Sequence, residues 1–166
     1  MNDWNLDLIA AQKAQEVLTS LQKEDEDKLK QMTEDNDERR NSSKSLRKKI
    51  KEEAESVEND TNKAFGVLVE NGPYAFFLWL ESTKPKKNEQ RILRESIIEK
   101  AKDLLKKCSL LSRDNNNSEQ SYQEIAEEIA PDLHKLILAK SILERYMTYL
   151  RYNAKAKAKE YGGEVS

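Results

Sequence analysis

The sequence contains few of the residues that turn a chain or cross-link it. Its 166 residues include four glycines, three prolines, one cysteine and one histidine. So few turn-forming residues argue against a β-sandwich or β-barrel. Cys108 has no partner for an internal disulfide, and one cysteine with one histidine cannot complete the usual four-ligand zinc site. We therefore expect no metal or other cofactor, and a reducing, cytoplasmic location.

Long hydrophobic runs are absent as well. No apolar stretch approaches the roughly 18 residues of a membrane-spanning helix. Residues 1–4 lack the basic start and hydrophobic stretch of a signal peptide. We therefore expect a soluble protein with no membrane partner.

Motifs that carry catalysis or bind phosphate are missing too. Neither G-x-x-x-x-G-K-S/T nor G-x-G-x-x-G occurs. Cys108 and His134 fall in separate predicted helices, so the spacing indicates no nucleophile–base pair. The acidic runs at 24–27 and 34–38 lack the glycine-containing loop and final glutamate of an EF-hand. We therefore predict that the protein is not an enzyme.

Charge is abundant but unevenly distributed. Charged residues make up 36% of the chain, yet the net charge is only −2. Residues 1–83 carry 12 basic and 18 acidic side chains, whereas residues 84–166 carry 17 and 13. Any polyanionic partner is therefore expected to bind the second half.

Apolar residues recur at helical spacing, and no alternating strand pattern competes with them. The spacing predicts a helix from about residue 5 to 21 or slightly beyond, a helix that opens at Ser42 or Ser43, and a third with a stripe from Ile92 to Cys108. Between the first two, residues 24–41 are highly charged and bury little, which predicts a charged extension or mobile loop. A solvated helical hairpin without function is the alternative for this region.

Other helix ends are marked by proline, glycine and serine. Asn71-Gly72-Pro73 is expected to end one helix and start an aromatic-rich one that forms the centre of the core. Ser121-x-x-Glu124 has the form of a capping box, and Pro131 is expected to start a last helix that runs to about Tyr161. The predicted fold is one all-α domain over 1–166, a compact antiparallel bundle with long N- and C-terminal helices.

The last helix has a basic face beside its apolar stripe. Advancing each residue by about 100° from Lys140 places Arg151 at about 20°, Lys155 at about 60° and Lys159 at about 100°. These four residues span about 30 Å, and the core stripe lies at about 280–340°. Such a row suits a run of phosphates. An ordinary solvated face is the alternative.

A second apolar patch lies across the same helix. It consists of Leu138, Ile142 and Tyr149, at about 160–200°. A helix that is apolar on two sides is either central in its bundle or covered by another subunit. We therefore consider these residues a candidate protein interface.

Several segments together resemble a known family. The Asn71-Gly72 turn leads into an aromatic helix, and the final helix contains Lys140 through Arg151-Tyr152. In these features the sequence resembles the small all-helical subunit of the type III-B CRISPR effector, the Cmr complex. The resemblance covers about half the chain, including the N-terminal helix around Gln12-Lys13-Ala14. It departs at residues 24–41 and at Pro73, where the family more usually has an aliphatic residue.

The resemblance implies a non-catalytic subunit of a ribonucleoprotein that acts in antiviral defence. Such subunits stack in a few copies beside other Cmr subunits and line the groove that holds target RNA paired to guide RNA. Lys140 and Arg151 match basic positions of the family's last helix, whereas Lys155 and Lys159 extend that row by geometry. The alternative hypothesis is a helical scaffold or adaptor that makes only protein–protein contacts.

Overall fold

The computed structural model of the protein describes residues 5–32, 37–112 and 121–163. Within these ranges the chain forms five helices and no strand. The helices are α1 (Leu6–Gln31), α2 (Asp37–Ser82), α3 (Asn88–Lys107), α4 (Ser121–Glu128) and α5 (Leu133–Gly162). They pack around one hydrophobic core, which confirms the predicted all-α bundle.

Helix α1 is longer than its apolar stripe predicts. Asn5 caps its start by accepting a hydrogen bond from the backbone N–H of Leu8, and the helix continues to Gln31. Residues 24–41 are predicted to be a charged extension or a mobile loop. The loop is wrong at 24–31, which belong to α1, and at 37–41, which begin α2, whereas a charged extension of the helices agrees with both segments. Residues 33–36 lie outside the described part of the chain.

The charged end of α1 remains helical because its charges find partners. Lys28 pairs with Glu24 one turn away, at 2.6 Å. Asp25 is mostly buried and pairs with Lys49 of α2 at 2.7 Å. The sequence shows how many charges this segment carries. It does not show which of them form ion pairs with another helix, because that depends on which helix packs against the segment.

Helix α2 contains one sharp break, at Gly72. Its backbone has φ 86° and ψ −177°, a conformation open essentially only to glycine. Pro73 follows as the first residue of the next helical segment, as the sequence predicts. The start of α2 lies further upstream than predicted, at Asp37 rather than at Ser42 or Ser43.

Helices α2 and α5 run antiparallel. Lys51 lies beside Gly162 near one end of the pair, and the ammonium of Lys140 bonds to the carbonyl of Val69 near the other. Residue numbers therefore rise along one helix as they fall along the other. This pairing agrees with the predicted antiparallel packing.

Helices α1 and α5, by contrast, run parallel. Asp7 pairs with Arg145 near their beginnings, and Glu26 pairs with Lys157 further along both helices. Three helices separate α1 from α5 in the chain, so no short loop forces them to be antiparallel. The predicted antiparallel bundle is therefore corrected for this pair.

The aromatic segment after Gly72 contributes to the core, as the sequence predicts. Phe76 and Phe77 are fully buried and meet edge to face, with ring centres 5.2 Å apart. Tyr146 of α5 is also fully buried and donates a hydrogen bond to the carbonyl of Ile97 at 3.2 Å. Burial raises the pKa of Tyr146 well above its ordinary value, so its hydroxyl remains a donor.

Helix α4 forms as predicted, but a different group caps it. The backbone N–H of Ser121 donates to the carboxylate of Glu81 at 2.7 Å. Glu124, the expected second half of a capping box, is buried and pairs instead with Lys102 at 2.7 Å. A partner distant in sequence has therefore replaced the local cap.

The start of α5 also differs slightly from the prediction. Asp132 is its N-cap, and its carboxylate accepts hydrogen bonds from the backbone N–H groups of His134 and Lys135. These bonds, that of Lys135 first, hold the pKa of Asp132 below its usual value. Pro131 thus precedes the cap rather than starting the helix.

Candidate nucleic-acid interface

Helix α5 is central in the bundle. It packs against α1, α2 and α3, and a wide arc of its surface is buried. The buried residues are Ala139, Ile142, Leu143, Tyr146, Met147, Leu150, Ala154 and Ala158. Helix α5 is apolar on two sides mainly because it is central in the bundle and contacts other helices on both sides.

The three residues of the predicted protein-interface patch differ in how far they are buried. Ile142 is only 1% exposed and belongs to the chain's own core, so its assignment to an intermolecular interface is corrected. Tyr149 packs against the core and is partly buried. Leu138 is 42% exposed and remains at the surface.

The four residues of the predicted basic row do not all have the same role, because Lys140 forms a contact within the fold. Its ammonium donates a hydrogen bond to the carbonyl oxygen of Val69 at 2.8 Å. In an uninterrupted helix that carbonyl would accept from the N–H four residues later, but residue 73 is proline and has none. Lys140 supplies the missing donor and also lies 3.8 Å from Glu144.

Arg151 lies between the core and the surface. Its Nε atom is shielded from solvent and donates to no oxygen in the described part of the chain. Its guanidinium carbon lies 5.9 Å from the centre of the exposed Tyr152 ring, within the range of a cation–π contact. Arg151 thus lies at the edge of the bundle, and no carboxylate of the described residues forms an ion pair with it.

Lys155 and Lys159 are exposed and carry unneutralised charge. Neither forms an ion pair with any residue that the structure describes. Successive members of the series Arg151, Lys155 and Lys159 are four residues apart, which is about 6 Å along the helix axis. We refer to these three residues as the basic face of α5.

Two other cations of α5 form ion pairs with residues of another helix. Arg145 lies 3.1 Å from Asp7, and Lys157 pairs with Glu26, both of which belong to α1. Helical spacing does not reveal these pairs, because both acidic partners come from a distant part of the chain. Within the described ranges the basic face and Lys135 are the α5 lysines and arginines that lack an ion pair, and only the basic face places three such residues four apart in one row.

The one cysteine and the one histidine lie at different helix ends. Cys108 is half-buried at the C-terminal end of α3, and burial raises the pKa of its thiol. His134 is fully exposed in the first turn of α5.

Within the described residues no three His, Cys, Asp or Glu side chains are grouped so that they could hold a metal ion. Among these residues there is also no helix of sufficient length and apolarity to cross a membrane.

A cleft of about 690 Å³ lies beside α3, between the end of α2 and the start of α4. Arg94 on its wall is almost fully buried, and its Nε lies 3.0 Å from the carboxylate of Asp60. The same guanidinium donates to the carbonyl of Thr83 at 2.6 Å and stacks over Trp79 at 4.6 Å. These contacts join α2 to α3, so Arg94 is a structural group rather than a ligand-binding one.

Comparison with known proteins adds no relative to this picture. No protein-family model, no curated protein and no solved structure matches the chain. The basic face of α5 and the exposed apolar residues near the start of the same helix are therefore the surface features from which a function can be argued.

Proposed function

We propose that the protein is a non-catalytic, RNA-associated structural subunit of a ribonucleoprotein. The basic face of α5 binds the phosphate backbone of RNA without reading its sequence. In line with the resemblance described above, the assembly is a type III-B CRISPR effector that acts in antiviral defence. The subunit lines the groove for guide and target RNA, beside other Cmr subunits and further copies of itself.

One observation carries this proposal. Lys155 and Lys159 are exposed and lack an acidic partner among the described residues, whereas Lys140, Arg145 and Lys157 on the same helix are all engaged within the chain. Exposed lysines that stand in a row attract a polyanion, since each phosphate they neutralise releases a counterion. Exposed lysines without an ion pair also occur elsewhere in the described chain, at Lys86 and Lys107. It is therefore the alignment of Lys155 and Lys159 with Arg151 on one helix that supports the proposal.

The proposal shifts the predicted site along the helix. Lys140 is committed to Val69, so it contributes less to RNA binding than the sequence predicts. Arg151, Lys155 and Lys159 remain, and they span about 12 Å of helix axis. A surface of this length contacts a short stretch of backbone, which suits a subunit that supplies one segment of a shared groove.

The test compares two variants with the same change of charge. K155Q/K159Q removes two charges from the basic face. K86Q/K107Q removes two exposed charges near opposite ends of α3, neither of which forms an ion pair with a described residue. We expect only K155Q/K159Q to weaken RNA binding, with the slope of log affinity against log salt lowered by up to about two units. Equal behaviour of the two variants would show that the basic face is merely solvated.

A cellular experiment tests the assembly itself. The tagged full chain is purified from its native cells at its natural level, and the accompanying RNA and proteins are sequenced. Guide RNA together with other CRISPR subunits is the expected result. Recovery of the protein with neither of them contradicts the assignment to a CRISPR effector.

A second candidate function, a helical scaffold, is favoured by a different observation. Leu133 and Ile137, at the start of α5, are 65% and 60% exposed, and Leu138 beside them is partly exposed. Neighbouring exposed apolar side chains are typical of protein contact sites. If the protein is only a scaffold, L133D/I137D will abolish subunit assembly while K155Q/K159Q leaves RNA association unchanged.

A further inference from the structure

An aromatic side chain stands beside the basic face of α5. Tyr152 is 58% exposed, although it lies in the middle of a helix whose other tyrosines are buried or partly buried. Its helical angle, at about 120°, follows those of Arg151, Lys155 and Lys159 around the helix. The ring therefore borders the three cations rather than the core.

The surroundings of the ring leave it open on the surface of α5. The residues one turn before and after it are Thr148 and Ala156, both small, and Ala156 is exposed. The guanidinium of Arg151 lies 5.9 Å from the ring centre, and Tyr152 forms no aromatic pair with another described residue. This cation–π contact favours a fixed ring position while leaving most of the ring accessible.

An exposed aromatic ring between cations is the arrangement with which proteins hold single-stranded RNA. The ring stacks on a base, and nearby lysines and arginines neutralise the phosphates on either side of it. Building on the proposed function, we infer that Tyr152 stacks on an unpaired base of the bound RNA while Lys155 and Lys159 contact the adjoining phosphates. The ligand of this surface is therefore an RNA segment with at least one unstacked nucleotide.

Fully paired RNA does not fit this surface equally well. In an A-form duplex each base is stacked between its neighbours, so a tyrosine ring can reach a base face only at a bulge, a gap or a strand end. The lysines alone would bind duplex and single strand through their phosphates. A preference for unpaired nucleotides is thus the specific contribution of Tyr152.

A protein partner fits the same surface less well. The centres of protein–protein interfaces are enriched in tyrosine and arginine but depleted in lysine, because burying an unpaired ammonium is costly. It is therefore Lys155 and Lys159 that disfavour a protein partner. Tyr152 has Lys155 on one side and Arg151 on the other, and the structure gives neither an acidic partner among the described residues. RNA offers both the flat base and the negative charges that this group of side chains can use.

The experiment measures binding of the full chain to a uridine oligonucleotide of about 15 nucleotides, to the same backbone with every base removed, and to a fully paired duplex. The variants are Y152A, Y152F and K155Q/K159Q. I92A serves as control, because Ile92 is an exposed apolar residue of α3 and belongs to neither candidate surface of α5.

The inference predicts that Y152A weakens single-strand binding by about 5- to 150-fold, the range measured for one stacked base. Y152F and I92A should bind as the parent does. On the abasic backbone the parent and Y152A should be equal. The salt slope of Y152A should equal that of the parent, since stacking releases no counterions.

Three outcomes overturn the inference. The first is parental affinity of Y152A for the single strand, and the second is an equal loss on the abasic backbone. The third is loss of a protein partner by Y152A with RNA affinity unchanged. If K155Q/K159Q loses affinity and Y152A does not, stacking fails while the proposed function stands. If neither variant differs from the parent, or the full chain binds none of the RNAs, both fail.

Discussion

The ammonium of Lys140 takes the place of an N–H that Pro73 lacks. It donates to the carbonyl of Val69 at 2.8 Å, at the point where Gly72 breaks α2 and Pro73 begins its next segment. A lysine that the helical pattern assigns to RNA binding thus joins α5 to α2. This contact distinguishes Lys140 from Arg151, Lys155 and Lys159, the cations that we propose bind RNA.

Lys140→Met should therefore destabilise the fold, because the change leaves the carbonyl of Val69 without its donor. We expect the free energy of unfolding to fall by about 1 kcal/mol, the usual net contribution of a hydrogen bond. Lys155→Met, the control on the same helix, should change it by less than about 0.5 kcal/mol. Urea unfolding followed by circular dichroism measures both. Equal stability of the two variants would mean that the Lys140 contact contributes nothing.

Two glycines of α2 should respond to alanine in opposite directions. A Cβ added at Gly66 or at Gly72 meets no atom within 4 Å, but only Gly72 has a positive φ, of 86°. Gly66→Ala should raise stability by about 0.5–1 kcal/mol, because alanine loses less backbone entropy in a helix. Gly72→Ala should lower it by about 1–3 kcal/mol, because alanine is strained in that conformation. Thermal unfolding distinguishes the two, and a gain from Gly72→Ala would contradict the break in α2.

Replacing only one member of the buried ion pair between Asp60 and Arg94 should strongly lower the free energy of unfolding. Arg94→Met leaves the carboxylate of Asp60 buried without its partner, and we expect a loss of about 3–5 kcal/mol. The double variant D60L/R94M removes both charges and should be more stable than R94M alone. A double-mutant cycle in urea gives the comparison. Additive losses would show that the two side chains do not interact.

Cys108 should react slowly with thiol reagents in the folded protein. Its side chain is half-buried, and burial raises the pKa of the thiol, so less of it is thiolate at neutral pH. We expect the rate of reaction with a disulfide reagent at pH 7 to increase several-fold in concentrated urea. Because the chain has one cysteine, the signal comes from this residue alone. A native rate as fast as the unfolded rate would place Cys108 at an exposed position.

The sequence by itself determined the helices and most of their ends. Scarce glycine and proline, with apolar residues at helical spacing, were sufficient for an all-α fold. The break at Gly72-Pro73 and the end of α5 near Gly162 are local properties of backbone conformation, so they could be predicted. The angular positions of Arg151, Lys155 and Lys159 follow from helical geometry alone.

Only the tertiary structure decided which side chains are available for binding. Helical angles place Lys140 beside Arg151 and Ile142 beside Leu138, but Lys140 bonds to α2 and Ile142 is buried in the core. Likewise, the charged end of α1 is helical because Asp25 and Glu26 meet Lys49 and Lys157 from other helices. A residue's own helix fixes its direction from the axis, whereas its partner, its burial and its freedom to bind depend on what lies opposite. That neighbour comes from a distant part of the chain, and only packing of the whole bundle brings it there.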